Sequence, residues 1–200
     1  LVDKKGIEKD LATKAIFEFN KVANDQGKSL YEINKEVYSM LRFGVPVRPE
    51  IGKNKISVFL IDWEHPFEND FAIAEEVTIK SKHDKRPDIV LYINGIALGV
   101  LELKRSIVSN AEGIRQNLDN QKEIFIKPFF ATVQYVMAGH DIEGIAYGAI
   151  ETKEKYYLKW KEVSEENNKQ DVHLLKITKP IRDKAAKYRL PLDKNVIELL

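Results

Sequence analysis

Three ionisable residues stand at the two ends of an apolar stretch of this sequence, where their types and spacing could carry chemistry. Glu102 and Lys104 are two positions apart in a run that predicts a β-strand, so both side chains point to one face. Leu101 and Leu103 point to the other face, where we expect them to be buried. Asp88 begins the neighbouring arm of a predicted hairpin and can therefore reach the same end of the sheet.

Two carboxylates that converge at such a place repel each other unless a divalent cation lies between them. A small set of hard oxygen ligands favours Mg²⁺, which keeps several waters and takes further ligands from phosphate. A cation held by Asp88 and Glu102 could polarise a phosphoryl oxygen. Lys104 could orient the attacking water or stabilise the charge that develops on the phosphate. The pattern thus favours metal-dependent chemistry at a phosphate group.

Each part of this pattern also has an ordinary structural interpretation. Glu-x-Lys on a strand is commonly a solvated ion pair, and Asp88 after Pro87 could be a turn residue. The combination is more informative, because three ionisable groups at one end of a buried hairpin are costly without a purpose.

The register of the hairpin decides whether the carboxylates can meet. A regular two-residue loop would pair Asp88 with Leu101 and turn the carboxylate away from Glu102. The register must slip by one residue, through a three-residue loop with a left-handed glycine or through a bulge, most plausibly at Gly99. We therefore expect an irregularity within residues 94–100 that brings the two carboxylates close enough to share one ion.

The elements that would position these residues follow from periodicity and turn signals. Two leading helices are indicated, the first ending near Gly27 and the second opening with the capping box Ser29-x-x-Glu32 and ending at Gly44 and Pro46. A third helix opens at Ser109-x-x-Glu112 and extends to about Phe125. Strands are predicted at Ile56–Ile61, Phe71–Lys80, Asp88–Ile93, Ile96–Lys104, Ala131–Ala138 and Ile142–Ile150. A central sheet with helices at both ends of the sequence is an α/β or α+β layer architecture.

Composition narrows the function classes only slightly. Lys and Arg total 32 against 31 for Asp and Glu, so only local charge clusters can indicate a nucleic-acid partner. The basic clusters Lys80–Arg86 and Lys176–Arg189 are the expected phosphate contacts, with solvated surface charge as the alternative. The chain has no cysteine, which excludes a disulfide scaffold and fits a cytoplasmic protein.

Membrane and histidine-metal sites are not indicated. No apolar run approaches the roughly 18 residues needed to span a bilayer, so we expect no membrane partner. The four histidines have no ligand-like spacing and are expected in loops and on the surface: His65, His83, His140 and His173.

Pro87-Asp88 followed by Glu102-Leu-Lys104 resembles the signature of PD-(D/E)xK nucleases. More narrowly, the chain resembles the N-terminal nuclease domain of the restriction (R) subunit of type I restriction-modification enzymes. The most specific stretch is RPDIVLYINGIALGVLELK at residues 86–104. Supporting similarity lies in FLIDWEHPFENDFAIAEEVTI at 59–79 and in VMAGHDIEGIAYGAIETKEKYYLKW at 136–160.

The resemblance implies an α/β, restriction-endonuclease-like core, with a central mixed sheet flanked by helices. Residues 1–160 would form the endonuclease domain, and 161–200 a basic segment leading toward a translocase domain. The chain contains no phosphate-binding Gly-x-x-x-x-Gly-Lys-Ser/Thr loop, so ATP would serve only that absent motor. The implied activity is Mg²⁺-dependent cleavage of unmodified foreign double-stranded DNA, in a complex with methyltransferase (modification) and specificity subunits.

The resemblance also assigns roles to individual residues. Asp88 and Glu102 would be metal ligands, the Leu103 carbonyl a third ligand, and Lys104 the water-positioning base or electrostatic partner. An acidic residue from an early helix could join them, with Glu18, Glu32 and Glu36 as candidates.

Such families often carry Gln-x-x-x-Tyr on the following helix, where this chain has Gln116 and Asn120. Both residues lie on one helix face and could contact the DNA backbone. An ordinary polar helix face is the alternative, and the missing Tyr leaves the role of this element open. Further candidate DNA contacts are Lys82, Lys85, Arg86 and Arg105.

Two other interpretations remain open at this point. The chain could be another PD-(D/E)xK nuclease, of the repair or junction type. It could also be a non-catalytic DNA-binding or docking module of the same fold, although a binder has no need of two carboxylates beside phosphates.

Overall fold

The computed structural model describes residues 6–105 and 107–161. The helices and strands of the described residues lie within Leu1–Lys159, the first of the two units into which the chain divides. The helices are α1 (Lys9–Ala23), α2 (Leu30–Phe43) and α3 (Asn110–Asn120). The strands are β1 (Val45–Val47), β2 (Ile56–Val58), β3 (Phe71–Glu75), β4 (Ile89–Ile93), β5 (Ile96–Lys104), β6 (Tyr135–His140), β7 (Gly144–Gly148) and β8 (Leu158–Lys159).

The two leading helices pack on a small antiparallel sheet of β1 and β2. The capping box predicted for α2 is confirmed: the Ser29 side chain accepts a hydrogen bond from the Glu32 backbone N–H, and the Glu32 carboxylate accepts one from the Ser29 backbone N–H at 2.9 Å. This arrangement satisfies amides at the helix start that would otherwise lack partners. Among the described residues, no helix is long and apolar enough to cross a bilayer.

The strand predicted at Ile56–Ile61 is only partly correct. Its first three residues form β2, which pairs with β1 rather than with the central sheet. Gly44 and Pro46 were predicted to end a helix, and the helix does end at Phe43. Strand β1, which contains Pro46, was not predicted. Gly44 has a φ of 85°, and a Cβ at this position would lie 2.9 Å from the Cβ of Ser57, so this glycine lets the chain turn directly from α2 into a strand.

The central sheet has six strands in the order β3-β4-β5-β6-β7-β8. Every neighbouring pair is antiparallel except β5 and β6, which are parallel. The predicted mixed central sheet is therefore confirmed. Because parallel neighbours need a crossover connection, the chain between β5 and β6 passes back over one face of the sheet and contains α3.

Several predicted boundaries are wrong by a few residues. The strand predicted to reach Lys80 ends at Glu75, because Glu76 takes a left-handed φ of 50°. The helix predicted to reach Phe125 ends at Asn120. The strand predicted at Ala131–Ala138 becomes β6, because the 3₁₀ turn Lys127–Ala131 delays its start. The strand predicted at Ile142–Ile150 is the shorter β7.

The irregularity expected in the β4–β5 hairpin is confirmed. Asn94 and Gly95 form a two-residue turn with φ values of 51° and 79°. Beyond it Tyr92 pairs with Ala97, whereas Leu91 pairs with Gly99. Leu98 is therefore the extra residue of a bulge, one position before the expected site.

The bulge changes which residues face each other farther along the hairpin. Beyond it Val90 pairs with Val100 and Ile89 with Leu101, so the next pair in the same register is Asp88 and Glu102. Directly opposed residues share a face, and the two carboxylates therefore lie on the same side of the sheet.

Helix α3 lies close to that side of the sheet because of a glycine. A Cβ at Gly113 would lie 3.0 Å from the Cβ of Ala138 and 3.4 Å from the Cγ of Lys104. One turn later the Asn117 side chain donates to the Met137 carbonyl at 2.8 Å. The small residue and the buried amide together hold α3 against β5 and β6.

We predict that Gly113→Val destabilises the protein by roughly 1–3 kcal/mol, because the added methyl groups overlap β6 and overpack the interface. Valine has a higher helix propensity than glycine, so a loss of stability would reflect the contact with the sheet. Urea denaturation measures the effect.

Asp119→Val is the matched control, since Asp119 is exposed on α3 and the two residues have similar helix propensities. Equal stability of Gly113→Val and the wild type would contradict the close approach of α3.

Candidate active site

The structure brings Asp88, Glu102 and Lys104 together at one end of the central sheet, at the start of β4 and the end of β5. Glu102 is fully buried, with 0% exposure, whereas Asp88 and Lys104 are half-buried. The predicted burial of Leu101 is confirmed, at 3% exposure. The predicted burial of Leu103 is wrong, because its side chain is 48% exposed: the face opposite Glu102 is covered along the strand but not at its end.

Asp88 is tied to the neighbouring strand by its own carboxylate. Its Oδ2 accepts a hydrogen bond from the Leu103 backbone N–H at 2.7 Å. Pro87 precedes it and has no amide hydrogen with which to continue the ladder. Backbone pairing between β4 and β5 thus ends at Ile89 and Leu101. The Asp88 carboxylate, instead of a backbone carbonyl, accepts the next hydrogen bond from β5, which fixes it beside the end of that strand.

Helix α3 supplies a set of amides to the buried carboxylate. Gln116 Nε2 donates to Glu102 Oε2 at 2.7 Å, and Asn120 Nδ2 donates to Glu102 Oε1 at 3.3 Å. Lys104 Nζ donates to Gln116 Oε1 at 2.5 Å. Gln116 therefore links the ammonium of Lys104 to the carboxylate of Glu102 and fixes their relative positions.

Asn120 has only 1% exposure and contacts the carboxylate of Glu102. In this position its amide acts on Glu102, and contact of Asn120 or Gln116 with DNA stays a prediction.

Ser109 begins α3 as expected, accepting from the Ala111 N–H, but Glu112 pairs with Arg115 instead of completing a capping box.

The charge of Glu102 is strongly disfavoured in this environment. Burial raises its pKa to about 8, and the negative charge of Asp88, which also lies within hydrogen-bonding reach, adds to the rise. The positive charges of Lys104 and Lys85 act in the opposite direction. In the absence of a cation, Glu102 is therefore largely protonated at neutral pH.

The donor set fits a hard divalent cation. Asp88 and Glu102 offer carboxylate oxygens on one face, and a cation between them would remove the repulsion that raises the pKa of Glu102. Within residues 6–105 and 107–161, no third His, Asp or Glu joins them in a group of three that could hold a metal ion. The remaining ligands would have to be a backbone carbonyl, water or substrate, which is usual for Mg²⁺.

Among the basic residues predicted to contact DNA, Lys85 is the one whose charge reaches Glu102. Its Nζ lies 3.9 Å from the centre of the Phe125 ring. Ser81 donates a hydrogen bond to the Phe125 carbonyl, so the loop before β4 is fastened to the segment after α3. Arg86 pairs with Glu76 at 3.4 Å.

Lys82 and Arg105 are exposed. DNA contact by these two residues, and by Lys85 and Arg86, stays a prediction, and the basic cluster Lys176–Arg189 lies outside the described residues.

The early-helix acids have other partners in two cases. Glu32 is engaged in the capping box of α2, and Glu36 pairs with Lys28 at 2.8 Å. Glu18 is half-buried on α1. The part that any of the three plays at the carboxylate pair stays a prediction.

One histidine differs from its expected surface position. His140 is a strand residue with 8% exposure, and its Nδ1 accepts hydrogen bonds from the Ile142 and Glu143 backbone N–H groups. It pairs with Lys104 across the parallel strands. The apolar run before it could have indicated burial, but no spacing pointed to Lys104. His65 and His83 are exposed as expected, and His173 lies outside the described residues.

Comparison with known proteins identifies the family of this chain. The family model described as the N terminus of the type I restriction enzyme R protein matches residues 3–155. The endonuclease subunit of the type I restriction enzyme HindI from Haemophilus influenzae is 33% identical over 140 residues, which cover 67% of this chain. The matched region spans 13% of that relative's length.

The raised pKa of Glu102 leads to a testable pH dependence. The folded protein holds this proton up to about pH 8, whereas an unfolded glutamate releases it near pH 4.3. Between these values the unfolded state binds fewer protons, so stability falls as the pH rises and levels off above the folded pKa. We predict that the free energy of unfolding of the wild type, minus that of Glu102→Gln, decreases by a few kcal/mol over this window.

Urea denaturation in EDTA at pH 5 and pH 8.5 measures this difference, and taking the difference cancels the titrating groups that do not interact with Glu102. A difference independent of pH would show that Glu102 ionises normally.

Proposed function

Because the chain belongs to the family of type I restriction enzyme R protein N-terminal domains, we propose that it is a Mg²⁺-dependent nuclease domain that hydrolyses phosphodiester bonds of double-stranded DNA. The observation that carries the proposal is the bulged register, which puts Asp88 and Glu102 on one face beside Lys104. A binding module would have no use for two converging carboxylates next to phosphate, because like charges repel.

The proposed metal ligands are the Asp88 and Glu102 carboxylates and the Leu103 carbonyl. Bound Mg²⁺ would supply Lewis-acid polarisation of a phosphoryl oxygen. Asp88 is held for this role by its hydrogen bond from Leu103 N–H, and Glu102 by the amides of Gln116 and Asn120. Both carboxylates are thus positioned before any ligand arrives, which lowers the entropy cost of binding.

Lys104 would act on the substrate side of the site. Its ammonium is half-buried and held by the Gln116 oxygen at 2.5 Å. From this position it can orient a water for attack or stabilise the charge that develops on the phosphate. Gln116 keeps this positive charge beside Glu102, so loss of Gln116 would free Lys104 and leave one Glu102 oxygen without a donor.

The rest of the proposed assembly follows from the family to which the chain belongs. This chain matches 13% of the length of the HindI endonuclease subunit, so a larger protein surrounds the equivalent domain there. We propose that unmodified foreign DNA is the substrate, that an ATP-driven motor belongs to the same subunit, and that modification and specificity subunits are partners.

We predict that Asp88→Asn, Glu102→Gln and Lys104→Ala each lower DNA cleavage at least about a hundredfold, the effect of removing one group that stabilises transition-state charge. The measurement is nicking of supercoiled plasmid by the purified chain, with Mg²⁺ or with EDTA. Circular dichroism verifies folding of each variant.

Lys21→Ala, which removes an exposed lysine on α1, is the control for Lys104→Ala and should cleave as the wild type does. Cleavage in EDTA, or wild-type rates in the three site variants, would contradict the catalytic assignment.

A second prediction concerns metal binding without catalysis. The proton on Glu102 competes with the cation, so Mg²⁺ affinity should rise with pH up to about 8, the folded pKa, by up to roughly tenfold per pH unit. Isothermal titration at pH 6, 7 and 8 measures this dependence. In Glu102→Gln binding should be weaker and lose most of the pH dependence, whereas identical isotherms would place the metal elsewhere.

A further inference from the structure

Three lysines line an open groove toward the β8 edge of the central sheet, away from the basic loop of Lys82, Lys85 and Arg86. The groove has a volume of about 900 Å³ and lies between the start of α3, β7, the 3₁₀ turn Glu154–Tyr156 and β8. We call it the lysine groove, after Lys153, Lys155 and Lys159, which line it. None of the three was singled out by sequence patterns.

The lysine groove is connected to the carboxylate pair by one row of the sheet. Glu102 pairs with Ala138, Ala138 with Ala146, and Ala146 with Lys159. Residues directly paired across strands share a face, so Lys159 lies on the same face as Glu102. The row crosses from β5 to β8 in three steps of about 4.8 Å each, which puts the two Cα atoms roughly 14 Å apart.

The side chain of Lys159 extends toward the end of the sheet at which the carboxylates lie. A Cβ at Gly144 would be 3.7 Å from Lys159 Cε, and Gly144 pairs with His140, which pairs with Lys104. The lysine therefore reaches from its own row into the row of Lys104. The missing side chain of Gly144 leaves room for it.

The charge of the groove is not cancelled by its own acidic residues. Of the two glutamates that line the groove, Glu154 pairs with Arg115 at 2.9 Å, which leaves Glu143 as one carboxylate against three lysines. Neither Lys153 nor Lys159 forms an ion pair with the part of the chain that the structure describes. Two ammonium groups thus remain available to an anion.

We propose that the lysine groove binds backbone phosphates of the DNA that is cleaved at Asp88 and Glu102, an inference that rests on the proposed function. A separation of roughly 14 Å is short compared with a duplex of one helical turn, so Lys159 contacts a phosphate a few nucleotides from the one being hydrolysed. With Lys82, Lys85 and Arg86 on the other side, positive charge flanks the carboxylates in both directions. A duplex has continuous backbone charge and fits this arrangement, whereas an acidic protein surface would need matching charges on both sides.

The test is binding of a fluorescein-labelled 20-base-pair duplex, followed by anisotropy at several KCl concentrations in EDTA, where the chain does not cleave. Lys153→Ala/Lys159→Ala should bind roughly tenfold more weakly, and the slope of log K against log [KCl] should be shallower by about 1.8 for two lost phosphate contacts. Lys153→Arg/Lys159→Arg should restore binding. Lys21→Ala/Lys35→Ala removes the same charge from α1 and α2 and should bind as the wild type does.

The outcomes separate this inference from the proposed function. Unchanged affinity and slope in Lys153→Ala/Lys159→Ala, with DNA bound by the wild type, would overturn the groove as a DNA site and leave the nuclease proposal standing. The same would follow if the control pair lost as much affinity, because the effect would then be one of net charge. Absence of DNA binding by the wild-type chain in EDTA would overturn the groove as a DNA site, whereas the nuclease proposal is decided by plasmid cleavage with Mg²⁺.

Discussion

The register of one hairpin decides whether this sheet can carry a two-carboxylate site. From the tight turn between β4 and β5, a regular ladder would put Asp88 opposite Leu101 and leave its carboxylate on the far face. The bulge at Leu98 takes up one residue of β5, so every pair beyond it is shifted by one. Asp88 then faces the same side as Glu102. The hydrogen bond from Leu103 N–H to Asp88 closes the end of this shifted ladder, so the geometry of the carboxylates depends on a single extra residue.

Burial of Glu102 is the electrostatic counterpart of that constraint. A carboxylate with 0% exposure loses its hydration, and the amides of Gln116 and Asn120 replace only part of it. Asp88 adds repulsion, so the pKa of Glu102 rises. A proton or a cation between the carboxylates relieves the same cost. The raised pKa of Glu102 and the proposed affinity for Mg²⁺ therefore have the same cause. Because the proton and the cation compete for the same carboxylate, each should bind more weakly when the other is present.

The parts of the fold that could be predicted from sequence are those set by local patterns. Alternation and the Asn94-Gly95 turn indicated the hairpin, and the need for shared ligands then indicated its bulge. The prediction that Leu103 is buried was wrong, because alternation along a strand assigns a side chain to a face of the sheet but does not show whether another element covers that face. The three-residue β1 was missed because its stability comes from pairing with β2, a contact that no local pattern encodes. Lys159 was missed for the same reason: its place in the row of Glu102 depends on three successive strand pairings.

The parallel pairing of β5 and β6 explains why helix α3 contacts both Glu102 and the lysine groove. Parallel neighbours require a crossover, so the chain that leaves Lys104 must return across the sheet before β6 begins. Helix α3 is part of this crossover, and it starts at the end of the sheet at which the carboxylates lie. Its first turn forms part of the wall of the lysine groove, and Gly113 brings the helix close enough for Gln116 to reach Glu102. DNA that contacts both the carboxylate end of the sheet and the lysine groove would therefore meet two surfaces that α3 holds in fixed relation.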